Sequence, residues 1–149
     1  MNDAVLLMEN STLKNNMACI GGAISASVGA HVYFIGGTSY IEGNRAGISC
    51  SDTANGGGLH LLQTSDPNSF KSTILDVSGT GTKLIVKGNT AADHGGGIMA
   101  TASLLFRSGA HVEIIDNTAT AFGGGVLLNG QDQDNKRTGT RLDVTGSGT

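Results

Sequence analysis

The sequence lacks, or is poor in, several residue types that mark common classes of protein. It has no tryptophan, one proline and two cysteines among 149 residues, and only 14% of its residues are charged. The net charge is -3 and the longest basic run is the pair Lys136-Arg137, so the chain has none of the basic patches with which proteins bind nucleic acid. No apolar run approaches the length of a membrane span. We therefore expect neither nucleic-acid binding nor a membrane span.

Glycine, by contrast, is abundant. The chain has 24 glycines, roughly twice the average usage. Regularly spaced Val, Ile and Leu exclude a flexible Gly/Ser linker, and glycine does not recur at every third position as it does in collagen. Runs such as Gly56-Gly57-Gly58 cannot pass through the helices of an ordinary helical bundle.

The glycines belong to an internal repeat. Four segments share an aliphatic-x-x-Asn step that is followed by a glycine run and another aliphatic residue. The steps end at Asn16, Asn44, Asn89 and Asn117, and the runs are Gly21-Gly22-Ala23-Ile24, Gly56-Gly57-Gly58-Leu59, Gly95-Gly96-Gly97-Ile98 and Gly123-Gly124-Gly125-Val126. The asparagines lie 28, 45 and 28 residues apart, so short and long units alternate. A period of this size is typical of repeat architectures.

The sequence also contains a duplication of longer period than this repeat. The segment 75–82 matches 142–149 without a gap, and the same offset of 67 residues takes Gly56 to Gly123. The long units contain polar stretches near 63–72 and 131–139, where turn formers and charges replace the apolar alternation, and this pattern predicts two loops. A further match, between 29–32 and 109–112, falls at different phases of the repeat, and we interpret it as a coincidence.

Within the units the pattern is that of short β-strands. Lys83–Lys87 and His111–Ile115 are rich in aliphatic and β-branched residues and are bounded by Gly or Asn, and no window shows a convincing helical stripe. Strands this short cannot bury a core alone, so they must stack on copies of themselves. We predict one all-β domain over residues 1–149, a β-solenoid of about five rungs with loops that project near 63–72 and 131–139.

The asparagines and glycines have structural roles in such a fold. Equivalent residues stack about every 4.8 Å, so asparagine amides can bond one another in a ladder, and Asn tolerates the left-handed conformation of a sharp corner. Glycines allow positive φ and close approach of the backbone between rungs. The glycines assigned to this ladder are Gly21, Gly22, Gly57, Gly58, Gly96, Gly97, Gly124 and Gly125. The alternative, a phosphate-binding loop, requires a helix after the glycines, and strand-like sequence follows Gly97 instead.

The two cysteines leave two interpretations open. Cys19 and Cys50 each lie between an asparagine step and a glycine run, in successive units. Stacked units could bring them within bonding range, consistent with an oxidising compartment. Alternatively, both are buried thiols that act as small hydrophobic groups.

These motifs resemble the tandem GGA[ILV] and FxxN repeats of the chlamydial polymorphic outer-membrane proteins and related autotransporter passengers. The first glycine run fits GGA[ILV], the other three fit a GGG[ILV] variant, and the aliphatic-x-x-Asn steps are a degenerate FxxN. The resemblance covers most of the chain and implies a single-stranded right-handed parallel β-helix. It also implies a secreted or cell-surface protein, often an adhesin, whose helix acts as a stalk.

The residues offer little support for catalysis. The parallel β-helix, including its pectin-lyase-like members, also hosts polysaccharide lyases and hydrolases, but glycoside hydrolysis needs two carboxylates that face one groove. Asp76 and Asp143 occupy equivalent repeat positions, which is typical of structural or surface roles. The four histidines lack the spacing of metal ligands; among them, only His94 adjoins a carboxylate, Asp93, beside a glycine run. We predict no catalytic residue, no metal and no cofactor.

Our first hypothesis is therefore a non-enzymatic structural or adhesion segment, a rigid rod that displays loops to an unknown protein or glycan. The candidate contact residues in the loops are Asp66, Asn68, Lys71, Asp132, Asp134, Lys136 and Arg137. The alternatives are a polysaccharide-active enzyme and a filament subunit that associates end to end. The N-terminus is not typical of a signal peptide and the repeat stops within a unit at Thr149, so we expect a segment of a longer repetitive chain or a unit that stacks on its own copies.

Overall fold

The computed structural model describes residues 4–47, 50, 54–63, 72–130 and 140–145. Within these residues the chain contains seventeen short strands and no helix. The strands fall into sets of four consecutive strands, which we call rungs. The first rung is β1 (Val5–Met8), β2 (Thr12–Lys14), β3 (Met17–Ala18) and β4 (Ile24–Ser27). The second is β5 (His31–Phe34), β6 (Thr38–Glu42), β7 (Arg45–Ala46) and β8 (Leu59–Leu62).

The later rungs repeat this order. The third rung is β9 (Ile74–Ser78), β10 (Lys83–Lys87), β11 (Thr90–Ala91) and β12 (Ile98–Ala100). The fourth is β13 (Ser103–Arg107), β14 (His111–Ile115), β15 (Thr118–Ala119) and β16 (Val126–Leu128), and β17 (Arg141–Val144) follows it. The predicted strands at 83–87 and 111–115 are confirmed as β10 and β14.

Each strand pairs with the strand four places along the chain, and every pairing is parallel. The first sheet has the order β1-β5-β9-β13-β17, and the second, third and fourth sheets each take the corresponding strand from the four rungs. Contacts between paired strands dominate the described structure, as expected for rungs that touch only their neighbours. This arrangement is all-β and parallel throughout and is compatible with a β-solenoid.

Alternation along the strands sends one set of side chains into a shared core. In the first sheet Val32, Leu75 and Leu104 lie opposite one another on successive strands, and none is more than 2% exposed. In the two-residue strands of the third sheet, one column is alanine in all four rungs: Ala18, Ala46, Ala91 and Ala119. A small side chain suits this short side, because the asparagine and glycine corners lie on either side of it.

The four predicted asparagines form a hydrogen-bonded ladder between the second and third sheets. Asn44 is fully buried. Its Oδ1 accepts bonds from the backbone N–H and from Nδ2 of Asn16, both at 2.9 Å. Its Nδ2 donates to Asn89 Oδ1 at 2.9 Å and to the Leu13 carbonyl at 3.0 Å. Asn89 bonds to Asn117 in the same way, so amides within the ladder satisfy one another.

The expectation that these asparagines are themselves left-handed is wrong. Positive φ occurs at the residue before each of them, namely Asn15, Gly43, Gly88 and Asp116. The physical reason is the direction of the asparagine N–H, which in the first three rungs points along the stack to the next Oδ1. The chain therefore has to reverse one residue earlier.

The glycine runs stack at the corner between the third and fourth sheets. Gly56 has a φ of 67°, and a Cβ on Gly57 would overlap the carbonyl oxygen of Gly96 in the next rung. Positive φ and close approach thus fall on successive glycines. The predicted set contains Gly21 in the left-handed column but omits its counterparts Gly56, Gly95 and Gly123.

A disulfide joins the first two rungs near this corner. Cys19 follows β3 and is bonded to Cys50, with the two Cα atoms 5.7 Å apart and a sequence separation of 31. Of the two interpretations that the sequence left open, the structure shows the disulfide.

Candidate binding face beside the loop bases

The two segments predicted as loops both connect a strand of the fourth sheet to a strand of the first. The residues proposed as their contacts, Asp66, Asn68, Lys71, Asp132, Asp134, Lys136 and Arg137, lie outside the described residues. The bases of both loops are described. One loop connects β8 to β9 and the other connects β16 to β17, so their bases lie two rungs apart.

Each of the two bases contains an equivalent hydrogen bond. Thr73 Oγ1 donates to the Leu62 carbonyl at 2.9 Å, across 11 residues of sequence. Thr140 Oγ1 donates to the Asn129 carbonyl at 2.7 Å, again across 11 residues. Each partner is 67 residues from its counterpart, so the sequence duplication is also a duplication of the loop anchor.

Further bonds hold the first base against neighbouring rungs. Gln63 Oε1 accepts a bond from the Thr73 N–H at 2.7 Å, and the Gln63 N–H donates to Thr101 Oγ1 at 2.8 Å. The Gly29 N–H donates to Thr73 Oγ1 at 3.2 Å. Thr73 and Thr101 are buried. The loop therefore begins and ends on a corner that is bonded to the rungs on both sides.

The intervening corner carries no insertion. Only Thr101 and Ala102 connect β12 to β13, and both are buried. Consequently β13 starts in a gap between the two loop bases. The outward side of the first sheet extends from this gap, and we call it the loop-side face.

A carboxylate–guanidinium pair lies on this face. Asp76 points outward from β9, between its neighbours Tyr33 and Leu105 on the adjacent strands, yet only 3% of the residue is exposed. Arg107 binds both of its oxygens, with Nε 3.2 Å from Oδ1 and with Nη2 against Oδ2. The hydrogen bond to Asp76, followed by the charge of that carboxylate, raises the pKa of Arg107 above its ordinary value. The Arg107 side chain remains 49% exposed.

Other polar side chains border this pair. His31 Nδ1 and the Tyr33 hydroxyl are 3.0 Å apart, and the two rings meet edge to face with centroids separated by 5.9 Å. On β17, Arg141 Nε donates to Asp143 Oδ1 at 2.7 Å. The face therefore presents aromatic, donor and acceptor groups side by side, which is the chemistry of polar recognition.

The same face contains the carboxylates considered for catalysis. Asp76 and Asp143 occupy one column of the first sheet, with Leu105 between them, so their strands are about 9.6 Å apart. That spacing is close to the upper end of what inverting glycosidases use. However, both oxygens of Asp76 are bonded to Arg107 beneath an almost closed surface, which leaves a substrate oxygen little room to approach.

The histidines do not converge. Asp93 Oδ1 is 3.4 Å from Nε2 of His94, whose ring stacks on Phe122 with centroids 5.3 Å apart. His60 is buried, and desolvation lowers its pKa below the ordinary value. Among the described residues, no group of three or more His, Cys, Asp and Glu side chains could hold a metal ion. In the same residues, no helix is long and apolar enough to span a membrane.

The outward side of the second sheet carries exposed ion pairs. Lys14 and Glu42 are 3.2 Å apart, and Lys83 and Glu113 are 2.6 Å apart. Hydrogen bonds from Lys83 and then from His111 lower the pKa of Glu113. Pairs this exposed add little to stability. They are typical of a surface that faces solvent.

Sequence reasoning identified Asp76 but not its partner Arg107. Alternation along β9 and β13 predicts that both side chains point outward. Their contact, however, depends on a strand register that pairs Asp76 with Leu105, 29 residues later, and places Arg107 two residues further along β13. This register differs from the 28-residue and 45-residue spacings of the asparagines. No family model, curated protein or solved structure matches this chain.

Proposed function

We propose that the chain is a non-enzymatic structural or adhesion segment of a secreted or cell-surface protein. In this proposal the stacked rungs form a right-handed parallel β-helix, a rigid support that presents the loops near 63–72 and 131–139 to a protein or glycan. The observation that carries the proposal is the repeated loop anchor, Thr73 to Leu62 and Thr140 to Asn129. Loops held on a rigid scaffold are the usual place for recognition.

Two further features agree with it. The disulfide between Cys19 and Cys50 is typical of an oxidising compartment. The hydrogen bonds of the asparagine ladder and the close glycine contacts make the support stiff, because each rung is bonded to the next at its corners. A stiff support preserves the spacing between two displayed loops.

The test replaces residues 64–71 and 131–139 with short turns that copy the Thr101-Ala102 corner. We expect the variant to keep its circular dichroism spectrum and its disulfide, and to lose binding to an immobilised panel of glycans and extracellular-matrix proteins that the unaltered chain binds. The control keeps both loop lengths and scrambles the two loop sequences. Undiminished binding by the short-turn variant contradicts the proposal.

A polysaccharide-active enzyme is the second candidate, favoured only by the column that contains Asp76 and Asp143. It predicts release of reducing ends from a polysaccharide substrate, and loss of that release in both D76N and D143N. The filament alternative predicts growth of the particle with concentration, which sedimentation and electron microscopy of the isolated chain measure.

A further inference from the structure

We propose that Arg107, held in place by Asp76, is a receptor for the carboxylate of an acidic glycan. This inference rests on the proposed function and deepens it by naming a ligand class for the loop-side face. The juxtaposition that carries it is a half-exposed guanidinium bound on one side by an almost fully buried carboxylate.

The first step counts the N–H groups of Arg107 that do not donate to Asp76. A guanidinium has five N–H groups in a fixed plane. Asp76 accepts from Nε and from Nη2, which uses two of them. The pair of N–H groups on Nη1 and the second one on Nη2 are not used by Asp76. Two N–H groups on neighbouring nitrogens match the two oxygens of a carboxylate.

The second step is preorganisation. An arginine side chain normally loses considerable rotamer freedom when it binds a ligand. Here the bidentate contact with Asp76 already holds the guanidinium in the free protein, and Asp76 is itself held between neighbouring strands with only 3% of its surface exposed. Binding an anion therefore requires little further ordering, and a preorganised group binds more tightly than a mobile one.

The third step is the surroundings. Arg107 ends β13, the strand that starts in the gap between the loop bases, and lies about 13 Å along the strand from that gap. Tyr33 and His31 provide an aromatic and hydrogen-bonding surface on the β5 side. The bonded pair Arg141 and Asp143 supplies donors and acceptors on the β17 side. Such groups suit the hydroxyls of a sugar chain.

The fourth step selects among anions. The chain has a net charge of -3, and in the described part of the face the charged groups beside Arg107 form pairs, Asp76 with Arg107 itself and Asp143 with Arg141. A densely sulfated or phosphorylated polymer would be repelled by this balance. A glycan with one carboxylate among many hydroxyls needs a single guanidinium and several neutral contacts, which is what the face supplies.

The experiment measures affinity by isothermal titration calorimetry with four probes: trigalacturonic acid, 3′-sialyllactose, lactose and dextran sulfate. The first two probes distinguish a uronic acid from a sialic acid as the source of the carboxylate. We expect one of them to bind, with lactose at least about tenfold weaker because the charge-assisted hydrogen bonds are lost. Binding should weaken as salt is added.

The variants assign the effect to the clamped guanidinium. R107Q should weaken binding of the carboxylated probe about tenfold or more, and D76N should weaken it less, because the guanidinium stays but is no longer held. R45Q is the control, since Arg45 is exposed on another sheet and its loss changes the net charge equally. R107K keeps a positive charge beside Asp76 for folding but lacks the planar fork, and it should also bind weakly.

Equal binding of lactose and the carboxylated probes, or unchanged affinity in R107Q and R107K, overturns the inference. Absence of binding by every probe at millimolar concentration also overturns it. In that case, loop-dependent binding to the matrix-protein panel would still support the display function, so the two failures are distinguishable.

Discussion

At the scale of single residues, the asparagine ladder contains buried amides that need all of their hydrogen-bond partners. Asn44 is fully buried and uses both Nδ2 hydrogens and two acceptor positions of Oδ1. A buried amide of this kind is stabilising only while every partner is present, because an unsatisfied buried polar group costs about 1–3 kcal/mol. The ladder therefore makes each rung depend on the next.

Replacement of Asn44 should be much more costly than replacement of Asn16. N44A removes the acceptor for two donors of Asn16, the side-chain donor to the Leu13 carbonyl and one of the two donors to Asn89 Oδ1, so we expect the free energy of unfolding to fall by about 3 kcal/mol. N16A is the matched control, because Asn16 is exposed and its amide is bonded on one side, and we expect about 1 kcal/mol. Urea unfolding measures both, and equal losses would contradict the ladder.

The buried histidine makes stability depend on pH. Burial lowers the pKa of His60 in the folded state below its value of 6.5 in the unfolded chain. Below pH 6.5 the unfolded chain therefore takes up the proton more readily, and the free energy of unfolding falls as the pH drops from 6.5 toward the folded-state pKa. Above pH 6.5 His60 is neutral in both states, so its titration no longer lowers the free energy of unfolding.

H60M should remove this dependence, because methionine, like its neighbour Met99 in the same column, does not titrate. We expect the unfolding free energies of the unaltered chain and H60M to diverge between pH 7.5 and 5, by about 1.4 kcal/mol for each unit by which the pKa is lowered. The measurement is urea unfolding over that pH range. Parallel curves would show that His60 titrates alike in both states.

At the scale of elements, the same kind of turn occurs at two positions that are not equivalent in the sequence repeat. The segments 29–32 and 109–112 start strands in different sheets, β5 in the first and β14 in the second, so the match is out of phase as we predicted. Both follow the same kind of tight turn, with positive φ at Val28 and Gly29 and at Ser108 and Gly109. One turn motif thus serves two different corners.

The disulfide is the covalent link between elements. It connects the corners after β3 and β7 across 31 residues, and closing a loop of that length removes entropy from the unfolded chain. We expect the double variant C19S/C50S to lose about 2–4 kcal/mol of unfolding free energy. Dithiothreitol should destabilise the unaltered chain similarly and leave the double variant unchanged. Two titratable thiols in the native, untreated protein would contradict the bond.

At the scale of the whole molecule, stability comes from stacking. Leu75 is fully buried between the rungs that hold Val32 and Leu104. Leu142 holds the equivalent position 67 residues later and is 40% exposed, because β13 is its only strand partner among the described residues. The same residue type at the same repeat position therefore differs in environment.

This matched pair tests the stacking directly. L75A should lower the free energy of unfolding by about 3 kcal/mol, since it leaves a cavity in the core, whereas L142A should cost less than about 1 kcal/mol. Chemical unfolding of the two variants gives the comparison. Similar losses would show that burial between rungs is not the source of stability.

The all-β class and the repeat positions of the corners are predictable from the amino-acid sequence. Glycine runs, asparagine steps and β-branched segments recur at positions that a chain of stacked short strands explains, and β10 and β14 lie where the pattern predicts them. The sequence could not locate the left-handed residues before the asparagines, since any small or polar residue there satisfies the pattern. It could not choose between a disulfide and two thiols, because that depends on a 5.7 Å distance between Cα atoms. Nor could it pair Asp76 with Arg107. The contact is visible only in the folded chain, because it depends on the strand register that places Leu105 opposite Asp76 and Arg107 two residues further along β13.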